Sequence, residues 1–182
     1  KDIPNNENKY AYISALESNG QTDQALDAMN AILNKFPKNL ILNITKSEIL
    51  LSGQRLDEAM DNIEQVLNIS PGNYPASIIK AKILSSKKEF IKAEEILRDL
   101  LIRKNRDPGL WMQLSEIQRA GKNIVGYHLS RGEYYTLIGD FDNALNQFQF
   151  ALSLSGNSFQ TSETIMTKIN LAKDRLGKRR GF

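Results

Sequence analysis

Ala25, Ala59 and Ala93 recur at one constant interval, and the same interval joins Pro37 to Pro71. A fixed period constrains a chain more tightly than any single motif, because each unit has to bury its apolar face against its neighbours rather than in one central core. The next alanine in register, Ala144, follows Ala93 by one period and a half, so the phase slips by a single helix before it. With the alanine counted as position twenty of the unit, position eight is held by Ser47, Ala81, Ser115 and Gly132. These small residues let two helices approach closely, and only Ile13 in the first unit breaks the rule.

Apolar spacing near 3.6 residues predicts helices over 6–19, 22–35, 40–52, 56–69, 74–86, 90–104, 108–120, 123–138, 141–154 and 159–177, which is ten helices in five hairpins. Over 56–69, Leu56, Ala59, Ile63, Val66 and Leu67 form one apolar face, and Asp57, Glu58 and Asp61 are left for water. The expected turns fall at Asn19-Gly20, Ser52-Gly53, Lys87-Lys88, Gly121-Lys122 and Gly139-Asp140, where glycine would take the positive φ that ends a helix. Pro71, Pro75 and Pro108 fall at helix boundaries, where their missing N–H is not needed. The fold class is all-α.

A unit of roughly 34 residues, with a small residue early in its second helix and a proline near its end, resembles the tetratricopeptide repeat. The resemblance implies a right-handed superhelical solenoid forming one domain over 1–182, with repeats near 6–37, 40–71, 74–105 and 108–138 and a half-phase-shifted unit at 141–177. It implies no cofactor and a protein or peptide partner held in a concave groove lined by the first helix of each pair. The family's groove positions correspond here to Tyr10, Ser14 and Glu17, then Ile41, Ile44, Glu48 and Leu51, then Ile78, Lys82 and Ser85. Further along they correspond to Met112, Glu116 and Arg119, and then Leu129, Glu133 and Thr136. Ile41, Ile44, Leu51 and Ile78 either form an exposed apolar strip that a partner covers or are buried by the curvature of the stack. The members that clamp a C-terminal carboxylate carry asparagine at the ninth position, where this chain has Ser14, Glu48, Lys82, Glu116 and Glu133.

Residue inventory argues against catalysis. Cysteine is absent, which removes disulfides, thiolate metal sites and a cysteine nucleophile. The single histidine, His128, cannot make a metalloprotease's paired-histidine site, and it reads as a packed side chain beside Tyr127. No G-x-S-x-G elbow and no glycine-rich phosphate loop is present; Gly126 and Gly132 read as close helix packing and Trp111 as core. Charge is uneven: 6 basic against 10 acidic side chains through residue 75, then 18 against 11. The basic excess gathers in Lys168, Lys173, Arg175, Lys178, Arg179 and Arg180 ahead of Gly181-Phe182, a solvated tail without the interleaved aromatics that nucleic-acid binding would want. No run approaches the roughly 18 apolar residues of a transmembrane helix.

The stretch from 107 onward carries a second likeness. Pro108-Gly109-Leu110-Trp111-Met112-Gln113-Leu114-Ser115-Glu116 is followed by Tyr127-His128-Leu129-Ser130-Arg131-Gly132-Glu133-Tyr134-Tyr135, then by Gly139-Asp140-Phe141-Asp142-Asn143-Ala144 and Ser158-Phe159-Gln160. This order resembles the C-terminal repeat domain of periplasmic zinc metalloproteases similar to the β-barrel assembly-enhancing protease. The resemblance implies a periplasmic location and a zinc-bearing protease domain outside this chain, which would then be the C-terminal part of a longer protein. It implies that the repeats position substrates or the outer-membrane assembly machinery, with Arg131, Glu133, Tyr134 and Tyr135 as scaffold residues. A stand-alone adaptor or scaffold unrelated to any protease is the other expectation.

Overall fold

One backbone conformation recurs with the period of the sequence. In the computed structural model, which describes residues 6–156 and 158–180, the left-handed region holds Gly72 and Gly156 and, in one periodic series, Gly20 at φ +71°, Gln54 at +59°, Lys88 at +64°, Lys122 at +61° and Gly139 at +79°. Each member of the series follows the one before by a full repeat, except the last, which comes half a repeat later. The residue after each turn commonly closes it by donating its N–H five residues back: Gln21 to Leu16 O, Arg55 to Leu50 O, Asn123 to Gln118 O and Asp140 to Tyr135 O, all at 2.8–2.9 Å. This bond satisfies a carbonyl that the end of a helix would otherwise leave free.

Between the turns the described residues form α1 (Asn6–Ser18), α2 (Thr22–Leu33), α3 (Leu40–Ser52), α4 (Leu56–Ile69), α5 (Tyr74–Ser86), α6 (Phe90–Arg103), α7 (Pro108–Ala120), α8 (Ile124–Leu137), α9 (Phe141–Leu154) and α10 (Phe159–Arg180). The expected bounds hold to within two residues except at the end of α10, which continues past 177 to Arg180. Pro75 and Pro108 occupy the first turns of α5 and α7 as anticipated. Lys1 to Asn5, Asn157, and the terminal Gly181 and Phe182 lie outside the described residues.

The turns correct one expectation. Glycine was assigned the positive φ at Gly53 and Gly121, yet these two are at φ −77° and −80°, and the following Gln54 and Lys122 carry the left-handed conformation. The two glycines answer a demand for space instead. A Cβ on Gly53 would lie 2.3 Å from Thr22 Cγ2, and one on Gly121 would lie 2.8 Å from Phe90 Cβ.

The chain divides into two compact units, one through Lys87 and one from Lys88 onward. In the first, the buried core runs through Ile13, Leu16, Met29, Leu42, Ile49, Ile63 and Ile79, and the periodic Ala25 and Ala59 are wholly buried within it. Ser47, at the small-residue position, is also wholly buried, and Asn62 Nδ2 donates to its Oγ at 2.8 Å and to Asn43 O at 2.6 Å, tying α4 to α3. In the second unit Ala144, Phe148, Ala151, Ile165, Ile169 and Ala172 pack between α9 and α10.

The half-period slip falls on α8, which packs against both α7 and α9. Toward α7, Ser130 Oγ donates to Oε1 of the fully buried Gln118 at 2.7 Å. Toward α9, Gly132 lies against Phe148, whose Cε1 would be 2.3 Å from an added Cβ. Close packing therefore accounts for Gly132. Gly126 has a different reason, since its Cβ would collide with the side chain of Asn123, whose Oδ1 caps α8 by accepting from Gly126 N.

Candidate functional site

In the first unit the inward positions of α1, α3 and α5 converge. Glu17 from α1, Glu48, Leu51 and Ser52 from α3, and Ile79 and Lys82 from α5 line a cleft of about 320 Å³. Four of these, Glu17, Glu48, Leu51 and Lys82, are groove positions that the repeat resemblance implies. Ser52 and Ile79 were not, and each neighbours an expected residue, Leu51 or Ile78, along its helix.

The arrangement is polar at the mouth. Ser52 Oγ donates to Glu17 Oε1 at 2.7 Å, which fixes one carboxylate at the edge. Glu48 is half-buried, and burial pushes its carboxyl pKa up; the Lys82 ammonium pulls it back down and the Glu17 charge raises it further. Two carboxylates thus face one ammonium, and the half-buried one stands to gain most from a second cation.

Of the two expectations for the apolar positions, exposure holds at Ile41 and burial at Ile44. Ile41 is 71% exposed, but Ile44 is only 8% exposed and belongs to the core; Leu51 and Ile78 are half-buried. The correction at Ile44 follows from helix geometry. Position 44 lies roughly 40° round the helix from Glu48, on the side that α3 turns into the core, since α3 packs directly against α5 as well as against its sequence neighbours. Tyr10 is 44% exposed and lies outside the residues that line the cleft.

The expected groove residues of the second unit are held in separate pairs. Glu116 Oε2 accepts from Arg119 Nε at 3.0 Å and Nη2 at 2.8 Å, both on the exposed surface of α7. Glu133 is ion-paired with Lys168 of α10. Half-buried Met112 places its Sδ 3.0 Å from Arg131 Nη1, while Arg131 Nη2 donates to the Tyr135 hydroxyl at 2.8 Å and the guanidinium lies 5.1 Å from that ring's centre. His128 is packed as expected: Nδ1 lies 2.9 Å from Gln147 Oε1, with the Tyr127 and Phe150 rings at 4.9 and 5.3 Å. Trp111 is half-buried, and its Nε1 donates to Asn105 O at 2.8 Å. Among the described residues no group of His, Asp or Glu could hold a metal ion, and no helix is long and apolar enough to cross a membrane.

The repeating turns, the buried alanines and the paired helices have a counterpart among known proteins. A family profile, described as the tetratricopeptide repeat, matches residues 50–117. This is a tetratricopeptide-repeat fold. Its backbone is similar to that of a tetratricopeptide repeat protein from Parabacteroides merdae, at 18% identity over 95% of this chain and 72% of that one, with a TM-score of 0.57. It is also similar to MamA from Desulfovibrio magneticus, at 12% identity over 99% of both chains and a TM-score of 0.62. A thermophilic repeat protein of Thermus thermophilus aligns at 15% identity over 90% of this chain and 98% of that one, with a TM-score of 0.54. At such identities the likeness is one of fold. No curated protein matches the chain. Tetratricopeptide-repeat proteins bind protein partners.

Proposed function

We propose that this chain is a non-catalytic protein-binding module whose partner enters the cleft of the first unit with a cationic side chain directed at Glu48 and Glu17. The observation that carries this reading is the half-buried Glu48, which has burial on one side and, among the described residues lining the cleft, only Lys82 to balance two carboxylates. A lysine or arginine from a partner would complete the set, and a flanking apolar residue would lie on Leu51 and Ile79. Glu48→Lys tests the cleft: it reverses the attraction, and partner binding should fall by at least tenfold with unchanged helicity. Unaltered binding would remove the cleft from consideration.

The finer reading places the module beside a periplasmic zinc metalloprotease, positioning substrates or outer-membrane assembly components. Its support is the ordered run of motifs between residues 107 and 177. Zinc content of the parent protein, and its cleavage of an unfolded substrate with and without these 182 residues, decide the matter. Zinc together with activity that depends on the segment supports the protease association; a parent without zinc leaves a stand-alone adaptor.

A further inference from the structure

A second surface in the first unit departs from the repeat pattern. Between α1 and α2 lies an apolar pocket of about 400 Å³, floored by Ile13, Ala28 and Ile32 and rimmed by Tyr12 and Phe36, which are 50% and 54% exposed. Lys9 and Lys35 flank it, and among the described residues neither has an anionic partner.

The same positions one repeat later show what is unusual here. Ile13 and Ala28 correspond to Ser47 and Asn62, the pair whose hydrogen bond closes the equivalent crevice between α3 and α4. The first unit puts a short alanine where the second has the bridging asparagine, so its crevice stays open and greasy. Ile32 corresponds to Val66, which is 2% exposed, whereas Ile32 is only half-buried. Tyr12 corresponds to Lys46, and Lys46 does not face empty solvent: together with Arg55 it lines a cleft shared with Asp23 and Asp27 of α2. Arg55 Nη1 is 3.1 Å from Asp23 Oδ1. In the second repeat, then, this one position lies beside an amphipathic helix with acids on its flank; the Arg55 that holds Asp23 has Gln21 as its counterpart, so the basic character of the first-repeat pocket comes from Lys9 and Lys35 instead.

We infer that the α1/α2 pocket is a docking site for an acidic amphipathic helix of a partner protein. Such a helix would place one or two bulky apolar side chains between Tyr12 and Phe36 and carboxylates against Lys9 and Lys35. This inference does not rest on the cleft at Glu48, which lies among α1, α3 and α5.

The probe is a lactam-stapled peptide of the α2 sequence, an acidic amphipathic helix that lies beside Lys46, titrated into the isotope-labelled full chain and followed by amide chemical shifts. Shifts centred on Tyr12, Ile32 and Phe36 are expected, with an affinity in the micromolar range. Both Phe36→Ser and the pair Lys9→Glu, Lys35→Glu should weaken binding at least tenfold, as should replacing the peptide's two aspartates by lysine. Phe36 is exposed, so circular dichroism of that variant should be unchanged, and Glu48→Lys should leave the titration untouched. No shift at these residues, or binding indifferent to both Phe36→Ser and charge reversal, overturns the proposal. So does a self-associated chain in sedimentation that Phe36→Ser renders monomeric, since the pocket would then serve a second copy.

Discussion

Glycine holds distinct jobs in this chain, and substitutions separate two of them. Gly20 and Gly139 supply left-handed turns in open space, so Gly20→Ala should cost about 1 kcal/mol through backbone strain alone. Gln54 carries the same conformation with a side chain attached, and Gln54→Gly should gain up to about 1 kcal/mol. Gly132 is different, because Phe148 is fully buried and cannot yield: Gly132→Ala should cost about 1–3 kcal/mol, read by urea denaturation. Sequence alone showed where each helix ends but not which neighbour of the glycine bends, because a turn's signature is shared between adjacent residues. Glu48 gives a pH prediction at the same scale. Its folded pKa is raised above 4.5, so the native state holds the proton more tightly, and stability falls as pH rises from that value through the folded pKa. Glu48→Gln should therefore be more stable than the parent at neutral pH by thermal melting, while binding a cationic partner less well. A parent that outlasts Glu48→Gln at pH 7 would count against the buried charge.

At the scale of elements, the helices were legible because period, glycine turns and prolines agree, and the structure adds N-caps that the sequence reading did not use. Asn39 Oδ1 accepts from Ile41 N and Leu42 N at 3.0 and 3.2 Å, and Asp107 and Asp140 cap α7 and α9 in the same way. Asn39→Ala should cost about 1 kcal/mol, with the loss in exchange protection confined to the start of α3. The groove was only partly legible. Glu17, Glu48, Leu51 and Lys82, groove positions that the family resemblance implies, line one cleft, whereas Ile44 lies in the core. A helix packed on several sides leaves a narrow free arc, and a position at its edge can fall either way for reasons held in other helices. The α1/α2 pocket left a trace in the sequence too: Ile13 is the one residue that breaks the small-residue rule, and its meaning emerges only when Ala28 is seen opposite it.

For the whole molecule, the two compact units predict how it opens. Repeat arrays lose structure in blocks rather than all at once. Hydrogen exchange followed by mass spectrometry should resolve one cooperative block ending near Lys87 and another beginning near Lys88. A single protection level across that boundary would show that the chain unfolds as one body. The net positive charge beyond residue 75 includes ions already spoken for, since Lys168 pairs with Glu133 and Lys178 Nζ lies 2.8 Å from Asp174 Oδ2.

The slip at α8 has an evolutionary side. Its neighbour α7 carries the small residue of a first helix at Ser115, and α8 carries another at Gly132, so two leading helices follow each other without a trailing one between. A chain that tolerates this can be lengthened or shortened by one helix at a time, not only by pairs. The cost falls on α8 itself, which has to satisfy two grammars with one set of letters.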